Sequence, residues 1–283
     1  MGNLKLQKFI PVIITMPSII LGAIAMFHNK ISTLIWAQNI ACLVVGGVIS
    51  YFIVSSKWNI KASKYNGITI LIVFLFLLLT FLDPGMNGVH RWISIGIIKF
   101  NVSMILLPLI IIALWRASQT KGLGFTLAIA LAISILLAIQ PDASELTGFA
   151  VPMMILLYSK TKGKISRLFI IAVFSILIIL SWVFLDSLPA ITYVERIISL
   201  LNNMGFIWLT LGIISLAILP VPFILFPPKN LRLLSICVGL YFIIILISTI
   251  YGNFPVPLMG YGISPIIGYF IPITWYTESK INS

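Results

Sequence analysis

His90, Arg91 and Trp92 stand in direct succession within residues 83–101, DPGMNGVHRWISIGIIKFN, in a chain that is otherwise almost entirely apolar. Pro84, Gly85, Asn87 and Gly88 mark a turn just before them. An arginine beside a tryptophan at a membrane face can hold an anionic, amphipathic ligand, the guanidinium gripping phosphate with two parallel bonds while the indole stacks. The same pair also serves as a plain interface anchor, Trp in the aromatic belt and Arg reaching for the headgroups.

Two further stretches carry polar chemistry. In Gln140, Pro141, Asp142, Ala143, Ser144 and Glu145, the proline ends one helix. Asp142 then stands as N-cap of the next with Glu145 three residues on, a capping box that points a helix N-terminus at the outer face. Capping suffices for Glu145. Asp142 is in addition a carboxylate at a membrane boundary, able to bind a hydroxyl or a cation or to pair with Arg91. In residues 254–265, FPVPLMGYGISP, Pro255 and Pro257 remove backbone donors and Gly260 and Gly262 flank Tyr261, so an unbroken helix is not expected. Non-helical backbone at membrane depth survives only inside protein or along a wet cavity, and the segment reads either as cavity wall or as a loop above the bilayer.

The elements that position these residues follow from composition. With 283 residues, 60% of them hydrophobic and 8% charged, and a mean hydropathy of +1.16, the chain falls far below the charged fraction of about 25% typical of soluble domains. Long continuous apolar runs without two-residue alternation favour an all-α integral membrane fold over a β-barrel. The reading is one polytopic membrane domain over 1–283 with about ten transmembrane helices. The spans are expected near 9–27, 34–55, 67–82, 96–115, 124–140, 146–158, 167–185, 204–226, 231–251 and 256–275, the sixth short and interrupted by Pro152. The first is read as a retained span, since no small-residue cleavage site ends it.

Charge sets the orientation. With both termini cytoplasmic, the inner loops hold Lys5, Lys8, Lys57, Lys61, Lys64, Arg116, Lys121, Lys160, Lys162, Lys164, Arg167, Lys229, Arg232 and Lys280, fourteen of the eighteen basic residues. Positive-inside topology thus accounts for the net charge of +12, and no nucleic acid is called for. Asp83, Asp142, Glu145, Asp186 and Glu195 fall on the outer side, where residues 83–101, Asp142 and the loop 186–203 are free to share a site. Cys42 and Cys237 lie within apolar runs and read as small core residues. No Gly-rich phosphate loop, HExxH or CxxC occurs in the sequence.

In order, NGVHRW before an isoleucine-rich span, IQPD between two spans and PVPLMGYGIS before the last span resemble the NG-x-x-RW, QPD and P-x-P-x-x-SYGGS signatures of the FtsW/RodA/SpoVE (SEDS) family, most clearly over residues 80–275. The resemblance implies a multi-pass protein of the bacterial cytoplasmic membrane and a peptidoglycan glycosyltransferase that polymerises the undecaprenyl-linked precursor lipid II beside a class B penicillin-binding protein. Carried onto this sequence, the substrate-binding residues are Arg91, Trp92, Gln140, Pro141, Asp142, Pro257, Tyr261, Gly262 and Ser264. The departures are equally specific. After the RW motif the family reads F-Q-P-S-E-x-x-K, where this chain has Asn101, Val102, Ser103, Met104 and Leu107. The long outer loop that carries the family's catalytic Asp is cut down to DSLPAITYVERIISLLNNMGFIW, and neither possible register keeps that carboxylate. Gly260 and Ile263 replace Ser and Gly of the last signature.

Glycosyl transfer needs a carboxylate to deprotonate the attacking hydroxyl, or a cation to stabilise the leaving diphosphate. Asp142 and Glu195 are the catalytic residues left to propose. Asp186 and Glu195, the only acids in the shortened loop, read first as solvated loop charges. The expectation is a cell-wall membrane protein of shape, division or sporulation that binds lipid-linked precursor in an outer cavity with reduced or absent polymerase activity. Two alternatives stay open: an active polymerase, with a divalent cation possible in that case and no cofactor otherwise, and a transporter of lipid-linked precursor.

Overall fold

A chain in lipid must satisfy every backbone N–H and C=O internally, and a continuous apolar run does so only as a helix. The computed structural model describes residues 6–56, 66–96, 98–186 and 188–282. Lys5, Lys57, Lys61 and Lys64, expected in inner loops, lie outside the described residues. In chain order the helices are α1 (Ile10–His28), α2 (Thr33–Ser55), α3 (Asn66–Leu79), α4 (Val102–Thr120), α5 (Leu123–Ile139), α6 (Ala143–Lys160), α7 (Lys164–Val183), α8 (Ile197–Met204), α9 (Phe206–Ala217), α10 (Val221–Leu225), α11 (Arg232–Tyr251) and α12 (Ile263–Ile281), with one hairpin of β1 (Trp92–Ile95) and β2 (Ile98–Asn101). The protein is all-α and multi-pass. Among the described residues five helices are long and apolar enough to cross a membrane: α1, α2, α4, α7 and Lys229–Tyr251. The other expected spans are shorter or more polar helices, so the count of ten is not fixed by helix length.

Four expected spans are redrawn. The fourth begins at Val102 rather than 96, because residues 92–101 pair as an antiparallel hairpin with Trp92 opposite Asn101 and Ile95 opposite Ile98. Gly96 turns the chain at φ +61°, and the Asn101 side chain caps α4 by accepting the Met104 N–H at 3.2 Å. The sixth is not interrupted: α6 runs through Pro152. A proline inside a packed membrane helix forfeits one N–H bond, which neighbouring side chains and helices offset. The Cys237 thiol reaches the Pro152 carbonyl at 3.6 Å. The eighth is broken into α9 and α10, with Gly205 at φ +118° separating α8 from α9. The last span starts at Ile263, after the non-helical stretch that its prolines and glycines foretold.

The chain divides into two compact units, one of Met1–Asn59, Pro189–Ser235 and Leu246–Ser283, the other of Ile60–Leu188 and Ile236–Ile245. In the first, α1, α2, α9 and α12 pack through small residues that let backbones approach. A side chain at Gly22 of α1 would come within 2.0 Å of the Met259 carbonyl oxygen. Small hydroxyls bond between helices here: Ser18 donates to the Ser215 carbonyl at 3.0 Å, and Ser50 meets Thr274 at 2.7 Å. In the second unit α4 and α6 form the buried centre, with Leu107, Ile110, Leu114, Phe149 and Met153 fully enclosed. Gly148 of α6 leaves room for Tyr241 and Ile245 of α11.

Candidate functional site

The hairpin and the start of α6 bring Arg91 and Asp142 together in the second unit. The Arg91 carbonyl accepts the Val102 N–H at 3.1 Å, which ties the arginine to the beginning of α4. Its side chain then turns inward until the residue is only 4% exposed. Arg91 Nε lies 3.4 Å from Asp142 Oδ2. Nη2 donates to the Pro141 carbonyl and to Asp186 Oδ2. Ser103 Oγ stands 3.2 Å from Asp142 Oδ2 and 2.7 Å from Asn101 Oδ1. One guanidinium therefore faces two buried carboxyl groups. A charge that deep is tolerated only when paired and bonded in this way.

Asp186 is the largest revision of the sequence reading. Expected in solvent, its side chain is 7% exposed and held by Arg91, while Oδ1 accepts the Leu188 N–H at 3.0 Å. The reciprocal capping box is also half absent. Asp142 Oδ1 accepts the Glu145 N–H at 3.4 Å, but the Asp142 N–H is already taken by the Leu137 carbonyl at 3.1 Å. The Glu145 side chain turns instead to α11, where Oε2 accepts the Tyr241 hydroxyl at 2.7 Å. Among the described residues Oε1 has no hydrogen-bond partner.

The neighbours of Arg91 in sequence serve the loop. Gln140 is fully buried and donates to the Leu77 carbonyl at 3.1 Å and to Thr80 Oγ1 at 2.7 Å, holding the end of α5 to the end of α3. Trp92 is half-buried in β1. His90 stacks on Phe81 at 5.9 Å. The half-buried Asp83 accepts the Gly85 N–H at 3.1 Å and the Ser94 N–H at 3.0 Å, and these bonds, Gly85 first, hold its carboxyl below the usual range.

The other expected site residues belong to the first unit. Residues 254–262 form a non-helical segment in which Phe254, Val256, Leu258 and Met259 are at most 1% exposed. It lies inside protein, as irregular backbone in a membrane must. Pro257 and Ser264 are buried, while Tyr261 and Gly262 are half-buried. Tyr261 donates its hydroxyl to Gln38 Oε1 at 2.8 Å. Asn39, fully buried and unmarked by any sequence motif, donates to the Gly260 carbonyl at 3.0 Å and accepts the Gly262 N–H at 3.2 Å. Glu195 is half-buried and accepts the Ile191 N–H at 2.7 Å through Oε2. The structure thus unites Arg91, Pro141 and Asp142 in one cluster, and Tyr261 and Gly262 around Asn39 in another.

The fold is SEDS-like, by its similarity to solved structures. No family model and no curated protein matches the sequence, but solved structures match the fold. RodA of Thermus thermophilus, a rod shape determining protein, superposes with a TM-score of 0.65 over 94% of this chain and 95% of its own, at 17% identity. An Asp-to-Ala mutant of the same RodA gives 0.66 over 94% and 96%, also at 17% identity. A chain from a peptidoglycan synthase complex, described for its structural coordination of polymerization and crosslinking, gives 0.63 over 95% and 97% at 15% identity.

Proposed function

We propose that the protein is a SEDS-like component of peptidoglycan synthesis in the bacterial cytoplasmic membrane, with both termini cytoplasmic, that engages lipid II from the outer face and acts through a class B penicillin-binding protein with little or no polymerase activity of its own. The RodA-like fold supports the cell-wall assignment, and likeness to a chain of a peptidoglycan synthase complex supports the partner. The observation that carries the low-activity reading is the commitment of both acids in the shortened loop. Asp186 is buried on Arg91, and Glu195 closes its own turn on the Ile191 N–H. A general base needs a lone pair aimed at the attacking hydroxyl, at about 2.6–3.2 Å. Asp186 has both oxygens engaged and little exposure, and Glu195 has Oε2 turned back onto its own loop.

The test is elongation of labelled lipid II by the purified protein, alone and with a class B penicillin-binding protein, beside a lipid II binding measurement in detergent. Binding without elongation by the protein alone is the expected result. Long glycan strands at rates comparable with a full-length relative would reject the low-activity reading, and Asp142→Asn and Glu195→Gln, tested singly, would locate the base.

A further inference from the structure

The shortened loop does more than lack a carboxylate: it is docked on the 254–262 segment. The Tyr193 carbonyl accepts the Tyr261 N–H at 2.8 Å and the Val194 carbonyl accepts the Val256 N–H at 3.2 Å. The Tyr193 ring meets the Tyr261 ring edge-on at 6.1 Å, and Val194 is only 8% exposed. The approach is as close as backbone permits. A Cβ on residue 260 would stand 2.4 Å from the Val194 carbonyl oxygen and 3.1 Å from that of Val256. Real Cβ contacts of 2.4 Å to a backbone atom do not occur, so the loop can lie here only because residue 260 is glycine. The last signature in the resembled pattern has serine at this place, and two departures that look unrelated in sequence, a cut loop and Ser replaced by Gly260, are one structural feature.

The opposite side of the segment is closed as well. Met259 abuts Gly22 of α1, and Asn39 of α2 holds Gly260 and Gly262. Between them Leu258, fully buried, is kept at φ +63°. A left-handed conformation is strained for a bulky non-glycine residue and persists only where the surroundings over-determine it. The segment is clamped, and the loop is one jaw of the clamp.

We infer that Tyr193 and Val194 form a strap, locked by Gly260, that denies the 254–262 segment to a bulky diphospho-sugar headgroup and so determines which part of a lipid-linked ligand this protein can hold. The inference deepens the proposed function, since a strapped segment cannot line a polymerising pocket, but the lock itself can be read without any assay of activity.

Hydrogen–deuterium exchange on the detergent-solubilised full chain reads it. In the wild type the amides of Val256 and Tyr261 should exchange slowly. Gly260→Ala should raise exchange across 189–196 and at Val256 and Tyr261 by about tenfold or more, as expected when a local unit opens, while α1 and α2 keep wild-type protection. Tyr193→Ala, which removes the ring contact and leaves residue 260 alone, should raise the same amides by less, and it decides the matter if Gly260→Ala does not fold. Wild-type exchange at these amides in the folded variants would overturn the lock. Lipid II added to each protein reports separately: slowed exchange in 254–262 for Gly260→Ala but not wild type is expected, and equal slowing in both would overturn the denial of the segment. Absence of lipid II binding to either protein would count against the proposed function and leave the lock to the exchange result.

Discussion

Replacing Arg91 should destabilise the protein far more than replacing the carboxylate it holds. At an effective dielectric of about 20, unit charges 3.4 Å apart attract by about 5 kcal/mol before desolvation is counted. The net worth of the pairing is much smaller, but removal of one partner leaves the other charge buried and alone, at a cost of about 3–5 kcal/mol. Arg91→Ala strands two carboxylates, Asp142 at 1% exposure and Asp186 with its side chain at 7%, and belongs at the top of that range. Asp186→Asn retains an oxygen for Nη2 and leaves Arg91 beside Asp142, so it should cost no more than about 1 kcal/mol. Arg91→Ala with Asp186→Asn should cost less than the sum of the two, because only Asp142 is then stranded. Thermal unfolding in detergent, followed by fluorescence of the seven tryptophans, measures all three. Equal destabilisation by the two single substitutions, or an Arg91→Ala loss under about 1 kcal/mol, would refute the buried-trio account.

Tyr241→Phe removes the hydrogen bond that Glu145 Oε2 accepts and should cost about 1–3 kcal/mol, whereas Glu145→Gln keeps an acceptor for Tyr241 and should cost less than about 1 kcal/mol in the same melts. Asn39→Ala removes the clamp on both Gly260 and Gly262 and should cost about 1–3 kcal/mol, the buried Gly260 carbonyl being left unsatisfied. Single cysteines near Asn87 and Ser279 should be labelled from outside at the first position and only after permeabilisation at the second; the reverse would overturn the orientation.

Sequence alone carried the membrane class and the outline of the helices, because apolar length and the distribution of Lys and Arg are physical demands of a bilayer. It also carried the Arg91–Asp142 pairing as one option, since both residues fall on one face by topology. The hairpin at 92–101 was missed because Trp92, Ile93, Ile95 and Ile98 read as the start of an apolar span, although Gly96 and the polar Ser94 were available as signals. Pro220 and Pro222, with Gly205, were likewise available as signals in the eighth span, which was read as continuous. Asp186, Asn39 and Tyr241 were illegible for a different reason. Each is an ordinary residue until a partner arrives from far along the chain: Arg91 is 95 residues from Asp186, Gly260 is 221 from Asn39 and Glu145 is 96 from Tyr241. The strap was half visible as a deletion, and its meaning came only with the space at Gly260.

Elongation of labelled lipid II by the purified chain, with and without a class B penicillin-binding protein, tests the central claim most directly. Bound precursor and, from the chain alone, at most faint polymer are expected, since loss of a general base typically costs about 10² to 10⁴ in rate. Long glycan strands made by the chain alone, and abolished by Asp142→Asn or Glu195→Gln, would contradict that claim.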